Sequence, residues 1–496
     1  MRKRIPLLSK SRFMAGMQCH KRLYFECYHR ELADEVSESQ QAIFDTGTSV
    51  GELATNLCSG GILVTENHLH HEEAIETTRK LLDDPSVPAI FEAAFLYDDI
   101  RVRADLLPRV DVSAFDLIEV KSTTSTKEEH VFDVAVQLYV LEGCGVKVRR
   151  SCLCHIDNEY VYQGGEYELE KLFAIDDITE EARQFQPLVL QELQDMRRSL
   201  WELEPPEETT GRQCTSPYIC PFYGHCHADE PEHHVSQLPR ASQKLLRSLD
   251  DAGIEDIRDI PTGFGGLNAT QQRVRDCVVN DRFHLDPELP ATLQQLNYPV
   301  HFLDFETFNP ALPLYVGTRP FQVIPFQWSN HILEEDGTLR HEEYLHDGPD
   351  DPRESFTERL LETLGAKGSI LVYSSFEASR IRELSELLPH LASNLLALND
   401  RMVDLLKLIR GYCYHPEFHG SFSIKAVLPA LVPDLSYKDL AINDGSLASV
   451  AFAEMINPEI AVERRDFIRK SLLEYCELDT LAEVRLVEVL VRNLTK

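Results

Sequence analysis

The chain has 496 residues, of which 43% are apolar and 26% charged, enough for two to four domains that each bury a core. It contains no run of 18 or more apolar residues, and its basic start, MRKRIPLLSKSRFM, lacks the apolar segment of a signal peptide, so a cytoplasmic protein without a membrane span is expected. A net charge of −33 excludes indiscriminate attraction to nucleic acid, because phosphate contact needs positive potential at the point of contact.

Charge is nevertheless uneven. Residues 1–30 hold eight basic side chains (Arg2, Lys3, Arg4, Lys10, Arg12, Lys21, Arg22, Arg30) against one acid, Glu26. This segment is either an arm that touches nucleic acid or an ordinary solvated terminus. Ser9 or Ser11 is placed to cap a helix over FMAGMQCHKRLYFECY, on which Cys19 lies. Residues 36–58 and 68–83 read as helices, the second closing at Asp83-Asp84-Pro85. The stretch AIFEAAFL, with Glu92, reads as helical too.

Two short strands follow, Arg101–Leu107 and Phe115–Lys121, joined by a turn. Alternation puts Glu119 and Lys121 on one face and Val120 on the other, with Asp105 within reach on the neighbouring strand. Two carboxylates and an ammonium at one sheet edge suit a divalent cation and a developing charge on phosphate. Gln137 lies on the helix FDVAVQLYVLEG, and the next strand, VRRSCLCHIDNEYVY, places Cys152 and Cys154 on one face, either as ligands or, as is commoner for strand cysteines at i and i+2, as buried core. Glu92, Asp105, Glu119-Val120-Lys121 and Gln137 together resemble the RecB-like form of the PD-(D/E)XK nuclease core. That resemblance implies that Asp105 and Glu119 hold Mg2+ or Mn2+, that Lys121 assists, and that Glu92 and Gln137 support them. One departure is visible: GTSVGELA offers Gly51 where that form often carries a histidine.

Residues 176–203 read as one or two amphipathic helices ending at Glu204-Pro205-Pro206. Cys214, Cys220 and Cys226 then fall within thirteen residues of a loop containing Pro and Gly. Loops seldom bury thiols, and twelve cysteines in a cytoplasmic chain do not make a disulfide framework, so a bound metal is the economical reading. The fourth ligand is open on spacing alone: His225 or His227 would complete a zinc site, Cys19 an iron–sulfur site. Some RecB-like nucleases pair one cysteine before the core with three after it, and MQCHKRLYF resembles the first half of that arrangement. The resemblance implies a [4Fe–4S] cluster on Cys19, Cys214, Cys220 and Cys226 that clasps the domain.

Residues 231–294 read as a helical connector, whose short helices around Gly253 could also grip a nucleic-acid backbone through amides. From Pro299 the pattern changes to a buried strand, VHFLDFETF, with Asp304 and Glu306 on one side. QVIPFQWSNHIL and HEEYLHDG continue as a meander, and SILVYSSFEASRIRELSELLP is a strand running into a helix with Glu377 at the junction. Asp404 is expected within a helix. Tyr475 and Asp479 share a helical face at i and i+4. This order resembles the DEDD exonucleases of the RNase H-like fold, whose carboxylates hold two metals about 3.5–4 Å apart. It implies metal ligation by Asp304, Glu306 and Asp479, with Tyr475 orienting water, and a second-motif acid at Glu377 with Asp404 competing. Lys425, in GSFSIKAVLPAL, either approaches phosphate or is a surface lysine.

As a whole the chain resembles a bacterial family catalogued as domain of unknown function 2779, through PYICPFYGHC, FLDFETF, SIKAVLPAL and YCELDTL. The expectation is an α/β protein with a cluster-clasped PD-(D/E)XK domain at 1–230, a helical connector at 231–294 and an RNase H-like domain at 295–496. Its expected activity is metal-dependent hydrolysis of phosphodiesters, in DNA ahead of RNA, suited to DNA repair or defence against foreign DNA. The alternatives are a nucleic-acid-binding scaffold with impaired sites and an interaction protein built around its cluster.

Overall fold

In the computed structural model, which describes residues 5–492, the chain divides into two α/β units. The first comprises the described residues up to Asp229 together with Pro310–Gln322; the second comprises Glu230–Asn309 and Val323 onward. The stretch expected as a connector is thus part of the second unit. The basic positions Arg2, Lys3 and Arg4 lie outside the described residues.

The first unit opens with β1 (Leu8–Ser9), whose Ser9 side chain accepts from the Arg12 amide and so starts α1 (Lys10–Gln18). Helix α2 (His20–Tyr28) follows directly. Cys19 is therefore not inside a helix as expected: it is the extended junction between two, with φ −166°. Next come α3 (Glu38–Thr55), β2 (Ile62–Leu63), α4 (His71–Asp83), β3 (Ala89–Tyr97), β4 (Ile100–Asp111), β5 (Ala114–Lys121) and α5 (Glu128–Gly143). The unit continues with β6 (Lys147–Ile156), α6 (Leu169–Leu172), β7 (Phe173–Asp177), α7 (Thr179–Gln184), α8 (Gln186–Trp201) and α9 (Tyr223–Cys226). The sheet runs β2-β3-β4-β5-β6-β7, with β1 added alongside β4.

Strand alternation divides the core. Leu117 and Leu153 join Phe13, Val134, Leu138 and Leu193 in one cluster, while Ile118, Cys152 and Cys154 join Val50 and Ala54 in another. A central sheet covered on both faces explains the near-continuous apolar run of β5. The segment around Glu92 is a strand, not a helix. AIFEAAFL is rich in helix formers, but pairing with β2 on one side and β4 on the other overrides that local preference. Glu92 itself sits at φ +55°, a left-handed conformation costly for a residue with a Cβ and often kept at functional positions.

The second unit contains α10 (Gln243–Asp250), α11 (Ala269–Val279), β8 (His284–Leu285), α12 (Glu288–Leu293), β9 (Val300–Phe308), β10 (Ile324–Leu333) and β11 (Leu339–Leu345). Then come α13 (Arg353–Leu364), β12 (Ser369–Val372), α14 (Phe376–Leu387), α15 (Ala392–Asn399), β13 (Met402–Asp404), α16 (Leu405–Tyr412) and β14 (Cys413–Tyr414). Helices α17 (Ile424–Leu431), α18 (Gly445–Met455) and α19 (Val462–Arg492) complete it. Its main sheet has the order β11-β10-β9-β12-β13: an antiparallel meander to which β12 and β13 are added in parallel. Phe305, Trp328, Phe356, Leu360, Ile370 and Ile381 fill one face, and Phe326 stacks on Phe452 of α18 at 3.8 Å. Asp404 departs from its expected place. It ends β13 and caps α16, its Oδ1 accepting from the Lys407 amide at 2.7 Å.

Gly368 enters β12 at φ +89°, where a Cβ would run into the Pro299 carbonyl just ahead of β9. Gly368→Ala is expected to lower stability by at least about 2 kcal/mol. Urea unfolding measures this, and an unchanged midpoint would count against the tight β9–β12 approach.

Candidate functional site

The first unit gathers acids on three adjacent strands. Phe91 pairs with Leu106 and Leu106 with Ile118, so Glu92, Asp105 and Glu119 stand side by side across β3, β4 and β5. Like charges set opposite one another in this way repel. The relief comes from two lysines. Lys121 Nζ and Lys10 Nζ each lie 2.6 Å from the same oxygen, Glu119 Oε1. Both also meet Asp133 of α5, at 2.6 Å from Lys121 and 3.3 Å from Lys10. Gln137, one helical turn beyond Asp133, donates to Glu119 Oε2 at 2.7 Å and to Asp133 Oδ1 at 3.2 Å.

Burial opposes ionisation of Glu119, yet the two ammoniums overcome it and hold the carboxyl well below the usual range. Asp105 is pushed the other way, first by burial and then by Glu119, although it accepts from the Val120 amide at 2.7 Å. Glu92 is half-buried, with its nearest cation, Arg103, at 3.7 Å.

The structure therefore brings Asp105, Glu119, Lys121 and Gln137 together. It adds Lys10 and Asp133, which the sequence reading missed. Asp133 lies one turn before Gln137 on the same helical face, a legible signal; Lys10 carried none beyond its place in the basic segment. That segment is engaged within its own unit at several positions: besides Lys10, Arg22 pairs with Glu26 at 2.9 Å and Arg12 donates to the Leu7 carbonyl at 3.0 Å.

The expected [4Fe–4S] cluster is corrected. Cys19, Cys214, Cys220 and Cys226 line one small cavity, but no three of their sulfurs lie within 4.8 Å of one another among the described residues. Packing accounts for two of the four thiols. Cys220 and Phe222 are buried in the unit's core, with Cys226 packed against it, and burial pushes the Cys220 thiol up to about 11. The two ends of the unit are tied without the cluster. Gln18 donates to the Gln213 and Tyr218 carbonyls at 2.6 and 2.7 Å, Gly224 N–H donates to Asp34 at 3.0 Å, and Phe25 packs on Phe222.

The second unit holds a different constellation. Asp304 and Glu306 project from β9 toward α19, where ligand atoms of Asp304, Glu306 and Cys476 all lie within 4.8 Å of one another. Asp479 accepts from the Tyr437 hydroxyl at 2.6 Å and is also hydrogen-bonded by Tyr475. Glu377, at the start of α14, and Glu483, one turn after Asp479, are buried, and each has one oxygen without a hydrogen-bond partner among the described residues. Sequence reasoning passed over Cys476, Tyr437 and Glu483. Glu483 continues the four-residue spacing of Tyr475 and Asp479 and was legible in that pattern.

Among the described residues no Lys or Arg comes within ion-pair distance of these acids, and Lys425 acts on Glu306 and Asp479 only from farther off. Burial first, then mutual repulsion, pushes the carboxyls of Asp304 and Glu306 well above the usual range. Burial pushes Glu377 to about 8 and Asp479 to about 6, the latter against the pull of Tyr437 and Lys425. With its orphaned buried oxygens and raised carboxyls, the cluster around Asp304 and Glu306 could hold a multivalent cation. The donors are hard oxygens, and the Cys476 thiol, itself pushed up by burial, keeps its proton and points it at Asp304 Oδ2 from 3.7 Å. Because these folded-state pKa values lie above those of the unfolded chain, the folded unit holds more protons between about pH 4 and 8, and its stability falls as pH rises through that window. The melting temperature of metal-free protein is expected to drop from pH 5 to pH 8, with Mn2+ restoring most of the loss. A flat profile in calorimetry would contradict the uncompensated cluster.

Comparison with known proteins places a domain described as "Domain of unknown function (DUF2779)" at residues 301–423, which takes in Asp304, Glu306, Glu377 and Asp404. An alignment of 221 positions, covering 39% of this chain, is 25% identical to "Uncharacterized protein UU173" of Ureaplasma parvum serovar 3. The match spans about a third (31%) of that relative's length. A solved structure described as "Crystal structure of SSO0001" aligns with 40% of this chain and 77% of its own, at 14% identity and a TM-score of 0.20, too low to bear on the fold. No helix among the described residues is long and apolar enough to cross a membrane.

Proposed function

We propose that the second unit is a divalent-metal-dependent nuclease of the RNase H-like, DEDD type, and that the first is a PD-(D/E)XK-type nuclease core. The observation that carries the reading is the convergence of Asp304 and Glu306 with Asp479 and Glu377 in one buried, cation-deficient cluster. Asp304, Glu306 and Asp479 would hold the cation, with Glu377 as the fourth acid; Asp404, spent as a helix cap, is the weaker candidate. When bound, the cation supplies an activated water and charge relief on the phosphate. Burial keeps the Tyr475 and Tyr437 hydroxyls protonated, so both act as hydrogen-bond donors that fix Asp479. In the first unit, Asp105 and Glu119 are the acid pair, Lys121 assists, and Gln137 orients Glu119.

The test is cleavage of end-labelled single- and double-stranded DNA, with RNA in parallel, by wild type, Lys121→Ala and Asp479→Ala in Mg2+ or Mn2+. Metal-dependent cleavage lost in one variant assigns the chemistry to that unit. Absence of cleavage of both nucleic acids overturns the reading. The Lys10 ammonium on Glu119 favours a second reading for the first unit alone, a nucleic-acid-binding lobe without turnover.

A further inference from the structure

We propose that Lys425 is the group that contacts the substrate phosphate at the second site, an inference that rests on reading that site as a phosphodiester-hydrolysing centre. Lys425 stands in the first turn of α17, and its side chain is exposed where the neighbouring carboxylates are buried. Its Nζ donates to the Asn443 carbonyl at 2.7 Å and lies 5.7 Å from the Tyr437 ring centroid and 5.6 Å from that of Tyr475. Both rings belong to the site, since both tyrosines hydrogen-bond to Asp479. The carbonyl anchor belongs to it as well. Two residues on, a Cβ at Gly445 would sit 3.6 Å from Glu306 Oε2.

The chemistry of this setting is specific. Among the described residues Lys425 makes no ion pair within 4 Å; its partners are a neutral carbonyl and two ring faces. These orient an ammonium without cancelling its charge. The ammonium acts on Glu306 and Asp479, favouring their ionised forms, from the solvent side of the cluster. Asp304, Glu306 and Asp479 would hold a cation that draws in a phosphate, and the compact Lys425 ammonium is suited to meet a non-bridging oxygen of that phosphate. A fixed cation aimed at charge that grows on phosphate lowers the barrier, and removing one such donor typically costs about 10²–10³ in turnover.

A lysine that merely packed α17 against the loop would show a different signature from one that meets phosphate. The experiment compares wild type, Lys425→Met, Lys425→Arg and Asp304→Asn, all as full chains, in three readouts: Mn2+ binding, binding of thymidine 5′-monophosphate to Mn2+-loaded protein, and DNA cleavage. Lys425→Met is expected to bind Mn2+ as tightly as wild type or a few-fold tighter, because a like charge has gone. The same variant should bind the monophosphate at least about tenfold more weakly and cleave about 10²–10³-fold more slowly. Lys425→Arg should recover part of the monophosphate binding. Loss of Mn2+ binding in step with cleavage, or unchanged monophosphate binding in Lys425→Met, overturns the assignment. If wild type binds the monophosphate through Lys425 but cleaves neither DNA nor RNA, the phosphate contact stands and the nuclease reading falls.

Discussion

Asp304→Asn is expected to cut metal-dependent cleavage by the second unit by about 10³-fold or more while making the metal-free protein more stable. The two effects share one cause. Asp304 is held beside Glu306, Asp479, Glu377 and Glu483, and its carboxyl is pushed up by burial and by each of these neighbours. Near neutral pH an amide of the same shape removes one member of that repulsion without opening a cavity, so the metal-free protein should unfold at a higher urea concentration than wild type. The amide also removes a hard anionic ligand, so Mn2+ affinity should fall steeply. Cleavage assays, Mn2+ titration and urea unfolding without metal measure the three consequences. A variant that is less stable than wild type yet binds Mn2+ normally would show that Asp304 is a structural acid.

Lys10→Met is expected to lower stability by roughly 2–4 kcal/mol and to make the first unit respond more strongly to divalent cations. Glu119 is buried with two ammoniums on one oxygen, and Asp133 is shared between the same two lysines. Together the lysines bring two positive charges, the charge of one divalent cation, to the point where the carboxylates converge. Removing Lys10 leaves Lys121 alone facing Glu119, Asp133 and Asp105, and an uncompensated buried carboxylate is costly. A divalent cation entering beside Glu119 would repay that cost, so the Mn2+-induced rise in melting temperature should be larger in Lys10→Met than in wild type. Equal stability with equal cation response would sink the idea that Lys10 acts as a resident counter-cation. Far-UV circular dichroism on the variant separates this outcome from a failure of α1 to form.

The predicted effects divide along the same line as the legibility of the sites. Pairs set by backbone geometry could be read directly. The period of two put Glu119 with Lys121 and Asp304 with Glu306, and the period of 3.6 put Tyr475 with Asp479 and, had it been extended, Asp133 with Gln137 and Glu483 with Asp479. The meander of β9, β10 and β11 and the extended form of β5 were likewise visible, because alternation and short apolar runs bounded by turns suit an extended backbone better than a helix, whereas the central place of β5 in its sheet was not.

Local preference misled where neighbours outvoted it. The Ala-rich segment around Glu92 favours a helix in isolation but becomes β3 between two strands, and Asp404 caps a helix whose interior it was expected to occupy. The cysteine reading failed for a related reason. Spacing along a loop says nothing of where sulfurs point, and packing of Cys220 with Phe222 and Phe25 left the thiols lining a cavity without converging.

By itself, then, the sequence determined which acids lie on a common face of a strand or helix, since those relations depend only on fixed rise and twist per residue. Tertiary structure alone decided which faces meet: Lys10 reaches Glu119 across 109 residues, and Tyr437 reaches Asp479 across 42. Such closures arise from burying apolar surface elsewhere in each unit, and no local period along the chain encodes them.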